Sequence, residues 1–186
     1  MPEIYVIGGC NGSGKTTFAL NFFPSLSNVD FINADIIATR LNPNNLDTVA
    51  IQASRIMLQS LKSLAKQERD FAFETTLAAR SFAPFLRRCQ SQGYRVNLIY
   101  VWLNSVELAI TRVALRVAGG GHNIPEDVIR RRYNRGKDNF LKIYSKLADC
   151  WQVFDNSVDN QLVAFSNDKN QTVNIIRNDI WSRIIN

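Results

Sequence analysis

Apolar and polar positions along this chain follow two rhythms that exchange at short intervals. Residues 3–8 (EIYVIG) form a short apolar run ending in Gly-Gly, the pattern of a buried strand. Helix is expected from about Gly14 to Phe22, stopped by Pro24. "FINAD" (31–35) predicts a second strand that ends at Asp35, and "NPNNLD" (42–47) is turn and cap chemistry. From Thr48 to Lys66 the residues Ala53, Met57, Leu61 and Leu64 share one helical face. "DFAFETTL" (70–77) predicts a third strand running into a loop, and Ser81 to Gln92 a helix with Gly93 as its stop. "RVNLIYVWL" (95–103) is apolar almost throughout, as a strand buried on both faces should be. Asn104 is positioned to cap the next helix, with Glu107 at its N3 position, and that helix runs to about Ala118.

"GGGHNIP" (119–125) cannot continue a helix. Pro125 opens a new one, with Glu126 and Asp127 in the first turn, where the helix dipole favours acids. "WQVFDN" (151–156), "QLVAFS" (161–166) and "QTVNII" (171–176) predict short strands, the last two as a hairpin, and "NDIWSRII" a closing helix. Strand–helix alternation through residue 118 implies an α/β fold: a mostly parallel sheet with helices on both faces. With no repeat, low-complexity tract or linker, residues 1–186 are expected to form one domain. It would carry a lid region at about 112–135 and a small C-terminal hairpin and helix at about 150–186.

Apolar residues make up 46% of the 186, enough for a substantial core. No apolar run approaches the roughly 18 residues of a membrane helix, and no signal-type stretch precedes the first strand. A soluble cytoplasmic protein is expected. Three cysteines, Cys10, Cys89 and Cys150, show no metal-ligand spacing and read as reduced and unpaired. The formal net charge of +6 suits an anionic partner.

Residues 9–16, GCNGSGKT, complete the pattern G-x-x-x-x-G-K-[ST] between an expected strand and an expected helix. Gly9, Gly12 and Gly14 let the backbone turn tightly, so that this loop, with Asn11 and Ser13, presents N–H groups to phosphate oxygens. The helix N-terminus adds its positive dipole end. Lys15 is expected to reach the β- and γ-phosphates of ATP, Thr16 to hold Mg²⁺ through its hydroxyl, and Thr17 to contact the α-phosphate. The loop alone does not separate switches, motors and kinases. The strand at 95–103 lacks the acidic pair of a motor ATPase, and no guanine-reading N-K-x-D occurs.

In a parallel sheet, ligands gather at the carboxyl ends of the strands. Asp35 and Glu74 both belong to that edge. Asp35 can accept a proton from a hydroxyl attacking the γ-phosphate, or cap the segment "IIATR". Glu74 can bind Mg²⁺ through water or hold a substrate hydroxyl. Thr75 and Thr76 can donate to substrate or shape the turn. Arg112 and Arg116 share one helix face just before three consecutive glycines, so the segment reads as a lid that carries cations to the phosphates. His122 can touch phosphate or substrate, or pack the loop. Arg130, Arg131, Arg132 and Arg135 follow, and which of them reaches the site is open. Basicity gathered beside a phosphate pocket needs no nucleic acid to explain it.

GGCNGSGKTT, then NAD, then FAFETTL, then RVALRVAGGGHNIPEDVIRRRYNRG, in that order, resembles the zeta toxin family of P-loop kinases, most closely its short members. The resemblance implies a three-layer P-loop NTPase fold akin to the nucleoside-monophosphate kinases. It implies transfer of the ATP γ-phosphate to a hydroxyl of a UDP-N-acetylglucosamine-type sugar nucleotide, and a protein antitoxin as partner. It assigns Lys15 and Thr16 to ATP and Mg²⁺, Asp35 to the catalytic base, Glu74 and Thr76 to the substrate, and Arg112 and Arg116 to the transferred phosphate. Acceptors of another kind (a nucleoside, a polynucleotide end, an antibiotic) and an ATP-controlled binding module stay open, because this chain is more compact than the long toxins.

Overall fold

The structure, a computed structural model, describes residues 1–22, 29–43, 45–167 and 172–186. Pro24, Asn44 and Gln171, which figured in the expected helix stop, turn and last strand, lie outside the described residues. Seven strands make one sheet: β1 (Glu3–Gly8), β2 (Asp30–Ile32), β3 (Phe71–Thr75), β4 (Arg95–Trp102), β5 (Cys150–Asp155), β6 (Gln161–Ser166) and β7 (Asn174–Ile175). Their order is β2-β3-β1-β4-β5-β6-β7. The first five are mutually parallel, and β6 and β7 join antiparallel, the hairpin pairing expected at the C-terminal end. The helices are α1 (Lys15–Phe22), α2 (Ala34–Leu41), α3 (Ala50–Lys66), α4 (Phe82–Ser91), α5 (Val106–Ala118), α6 (Glu126–Asn139), the short α7 (Ser145–Leu147) and α8 (Asn178–Ile185).

The two-residue period of the strands sorts their side chains into two cores. Ile4 and Val6 of β1, with Val96, Leu98, Tyr100 and Trp102 of β4, enter the larger one. There they meet Met57 and Leu61 of α3, Ala83, Leu86 and Cys89 of α4, and Ile180, Trp181 and Ile184 of α8. Ile7, Ile99 and Val101, between those positions, face Phe18 and Ala19 of α1. This is why "RVNLIYVW" is apolar on both faces. A π-helical turn, Phe140–Tyr144, continues α6, a feature the residue pattern does not announce. Its Phe140 stacks on Tyr100 at 4.4 Å and meets the edge of Trp151, which stacks on Trp181 at 5.7 Å. This aromatic series docks the C-terminal segment onto β4 and β5.

The last strand is shorter than the expected 171–176, being Asn174–Ile175 among the described residues, and two further boundaries differ from expectation for a capping reason. The second strand stops at Ile32, because Asn33 Oδ1 accepts the N–H groups of Asp35 (2.7 Å) and Ile36 (3.3 Å) and starts α2. Asp35 therefore stands in the first turn of a helix rather than at a strand end, and the cap is Asn33. At α5 the cap is Ser105, not Asn104: Ser105 Oγ accepts the Leu108 amide at 3.2 Å, while the Asn104 amide donates to Ser157 Oγ at 2.8 Å. Among the described residues no helix is long and apolar enough to cross a membrane, and the three cysteines are unpaired.

Candidate active site

β1 ends at Gly8 and the chain wraps through residues 9–14 into α1. Gly9, Gly12 and Gly14 all hold positive φ (151°, 77° and 89°), the region that favours glycine. Neighbours also press on the loop. A Cβ at Gly9 would lie 2.4 Å from the Val101 carbonyl oxygen, and one at Gly14 would lie 2.4 Å from Asn156 Nδ2. Lys15 Nζ donates to the Cys10 carbonyl at 2.8 Å, and the Ser13 amide to the same oxygen at 3.2 Å. Ser13 Oγ is buried and has no hydrogen-bond partner. Cys10 is itself buried against Leu103, Ala109 and Val113, and burial pushes its thiol up to about 11, so it is an inert small packing residue.

Glu74, next to last in β3, faces this loop. Its Oε2 accepts from Thr16 Oγ1 at 3.1 Å, and its Oε1 is buried without a hydrogen-bond partner. Burial pushes the Glu74 carboxyl above its ordinary range, with the Asp35 charge adding to the rise, against the opposing pull of the Lys15 ammonium, the Thr16 hydroxyl and the Asn33 side chain. Burial likewise pushes Lys15 below its ordinary value, resisted by the negative charge of Glu74 and of Asp35. Asp35 is exposed on α2, yet Lys15, Glu74 and Arg132 all feel its charge. The carboxylate, the ammonium and the guanidinium thus gather at the C-terminal edge of the sheet.

The arginines divide. Arg112 lies against the loop: a Cβ at Gly12 would sit 3.3 Å from Arg112 Cβ, and its Nη2 donates to the Ser157 carbonyl at 3.0 Å. Arg116 is exposed and donates to the His122 carbonyl at 2.9 Å, and its charge acts on Lys15. Of the four arginines in α6, Arg132 is the one tied to the loop, through Nη1 to Asn11 Oδ1 at 3.3 Å. Burial lowers its pKa, and Asp35 opposes that. Arg130 instead pairs with Glu107 and Glu126 on the surface. Arg132 was not singled out by the sequence, and neither was Asn156, whose Nδ2 donates to the Ser13 carbonyl at 2.8 Å.

The remaining candidates are less central. Thr75 and Thr76 hydroxyls accept the amides of Leu77 (3.1 Å) and Ala78 (3.4 Å), which is turn chemistry. Buried Asn139 of α6 holds the same turn by donating to the carbonyls of Leu77 and Ala78. Gly136, one turn earlier, lets α6 approach so closely that a Cβ there would be 2.5 Å from the Thr76 carbonyl oxygen. His122 lines a different space, a cavity of ≈ 270 Å³ between Gly120–Asn123 and the turn containing Pro43, Asn45 and Leu46.

Among the described residues no three His, Cys, Asp or Glu side chains cluster as a metal cage. The site fits a different demand. Mg²⁺ in nucleotide sites takes one or two protein groups beside phosphates and water. An exposed Thr16 hydroxyl beside a carboxylate with a buried, unpartnered oxygen suits that need.

The zeta toxin family model matches residues 1–170. An uncharacterized protein of Haemophilus influenzae (strain Rd) is 35% identical over 125 residues, which are 67% of this chain and 88% of that protein. Solved structures that share the fold include these two. One is the crystal structure of AvrRxo1-ORF1:-ORF2 with ATP (TM-score 0.80, 15% identity), where the match covers 99% of this chain and 63% of the other. The other is the PezAT chromosomal toxin-antitoxin system of Streptococcus pneumoniae (TM-score 0.70, 19% identity), covering 99% and 78%. This chain thus spans under two thirds of the AvrRxo1 chain it resembles.

Proposed function

The chain belongs to the zeta toxin family, and from that premise we propose that it is an ATP-dependent kinase acting on a hydroxyl of a UDP-N-acetylglucosamine-type sugar nucleotide. The observation that supports the reading is the hydrogen bonding of Glu74 to Thr16 and of Arg132 to Asn11 at the glycine loop, with Asp35 in the first turn of α2. A binding module needs the loop but not a carboxylate poised next to it. Asp35 takes the proton of the acceptor hydroxyl as its oxygen bonds to the γ-phosphorus. The bond from that phosphorus to the β–γ bridging oxygen breaks, and ADP leaves with the electron pair. Lys15, Arg112, Arg116 and Arg132 neutralise the charge spread over the phosphoryl oxygens. The loop amides of Gly9 to Thr17 cradle the phosphates. Mg²⁺, held by the Thr16 hydroxyl and through water by Glu74, would supply further charge neutralisation on the β- and γ-phosphates.

The reading carries a cytoplasmic location, where both substrates occur, and a protein antitoxin as partner. The solved relatives support that last point only by analogy, one of them being a toxin-antitoxin system. The test is γ-phosphate transfer with Mg-ATP, read as an acceptor mass shift, across UDP-sugars, nucleosides and 5′-hydroxyl oligonucleotides. UDP-N-acetylglucosamine gains one phosphate, and Asp35→Asn lowers that rate by about 10²–10⁴ while ATP still binds. Transfer to oligonucleotides alone overturns the acceptor. Acceptor-independent hydrolysis with nucleotide-dependent capture of a protein overturns the transferase.

A further inference from the structure

The segment Asp155-Asn156-Ser157, at the end of β5, is absorbed by none of the roles above, yet it touches two parts of the site at once. Asp155 Oδ1 accepts the Ser157 amide at 2.8 Å and also the Ser157 hydroxyl, an Asx-type turn. That turn aims the Ser157 carbonyl at Arg112, whose Nη2 donates to it at 3.0 Å. Ser157 Oγ accepts the Asn104 amide at 2.8 Å, which ties the turn to the exit of β4. Between them, Asn156 donates its amide N–H to the Trp102 carbonyl at 3.0 Å and its Nδ2 to the Ser13 carbonyl at 2.8 Å. The turn thus fixes Arg112 and the phosphate loop to one support.

We propose that Asp155 and Ser157 are positioning residues that orient the Arg112 guanidinium toward the terminal phosphate of bound ATP, while Asn156 holds the loop itself. The proposal rests on the reading of the loop as an ATP site. Arg112 carries five N–H donors in a planar fork. One donor spent on a fixed carbonyl sets the plane of the other four, which is how a supporting hydrogen bond converts a flexible cation into a directed one. Asp155 acts here as a hydrogen-bond acceptor for Ser157.

The experiment compares ATP and ADP affinities by calorimetry on the full chain with Mg²⁺. Arg112→Ala lowers the ATP-over-ADP preference about tenfold, the scale of one charge-assisted hydrogen bond. Asp155→Ala lowers it comparably and leaves ADP affinity within about twofold. Asp155→Asn, which keeps the accepting oxygen, restores the wild-type ratio, and Asp155→Ala combined with Arg112→Ala is no worse than Arg112→Ala alone. ADP affinity reports folding. If Asp155→Ala loses it, Ser157→Ala, which keeps the carbonyl, takes its place and lowers the ratio more mildly. An unchanged ratio, an equal loss for both nucleotides, or additivity with Arg112→Ala overturns the proposal. None of these readouts needs an acceptor or a turnover. A chain that shows this pattern but phosphorylates nothing keeps the positioning role and loses the kinase reading.

Discussion

At the N-terminal ends of the strands, polar groups are spent on one another. The Glu3 amide donates to Asp70 at 2.7 Å, Cys150 Sγ to Asn97 at 2.8 Å, and the buried Val96 amide to Asp149 at 2.8 Å, with Gln90 joining Asp149 at 3.0 Å. Arg69 pairs with Asp30 at 3.0 Å. At the C-terminal ends, Ser13 Oγ and Glu74 Oε1 are buried with no hydrogen-bond partner, and the Lys15 ammonium makes do with a backbone carbonyl. The difference lies in what surrounds each end: at the first, side chains and amides tie neighbouring strands together, and at the second, the two wanting groups belong to the glycine loop and to the carboxylate facing it.

Substitutions can break that contrast. Lys15→Ala has the largest effect, about 10³-fold in phosphoryl transfer, while circular dichroism shows a folded chain. Loss of the fold along with the activity would mean that this end is structural after all. Asp149→Ala reverses the pattern. It strips a buried amide of its acceptor and costs about 1–3 kcal/mol in urea unfolding, with the transfer rate unchanged. Glu74→Gln sharpens the contrast through pH and has the smallest effect. The Glu74 pKa is raised in the folded state, so the folded chain binds more protons there than the unfolded one. The stability this contributes is complete below the ordinary 4.5 and is lost as pH rises through the folded value. The melting temperature of the wild type minus that of Glu74→Gln therefore falls as pH is raised from below 4.5. A flat difference would mean that the carboxylate is not penalised by burial.

What the residues disclose on their own is whatever is governed by neighbours in sequence. The two-sided burial of β4, the Ala53–Met57–Leu61 face of α3 and the glycine-bound phosphate loop all follow from local pattern, and the structure has them. Short-range competition between caps was harder to read. Asn33 and Asn104 are equally good candidates by residue type, but only Asn33 caps a helix, since Ser105 does so next to Asn104. Long-range partners were not readable at all. Nothing in "IRRRYNR" separates Arg132 from its neighbours until α6 is laid beside Asn11. The turn at Asp155–Ser157 has visible turn chemistry, but its partners Arg112 and Ser13 are 45 and 143 positions away.

Gly136 has an effect that reaches beyond its own position. It lies one turn after Arg132, on the same side of α6, where the helix backbone rests on the Thr76 carbonyl. A methyl group there would act as a wedge, lifting the helix from the turn that follows β3 and carrying the guanidinium away from Asn11. The reach of a long, flexible cation is thus calibrated by the smallest residue in its helix, and a change that adds no charge and removes no catalytic atom would be felt as lost chemistry.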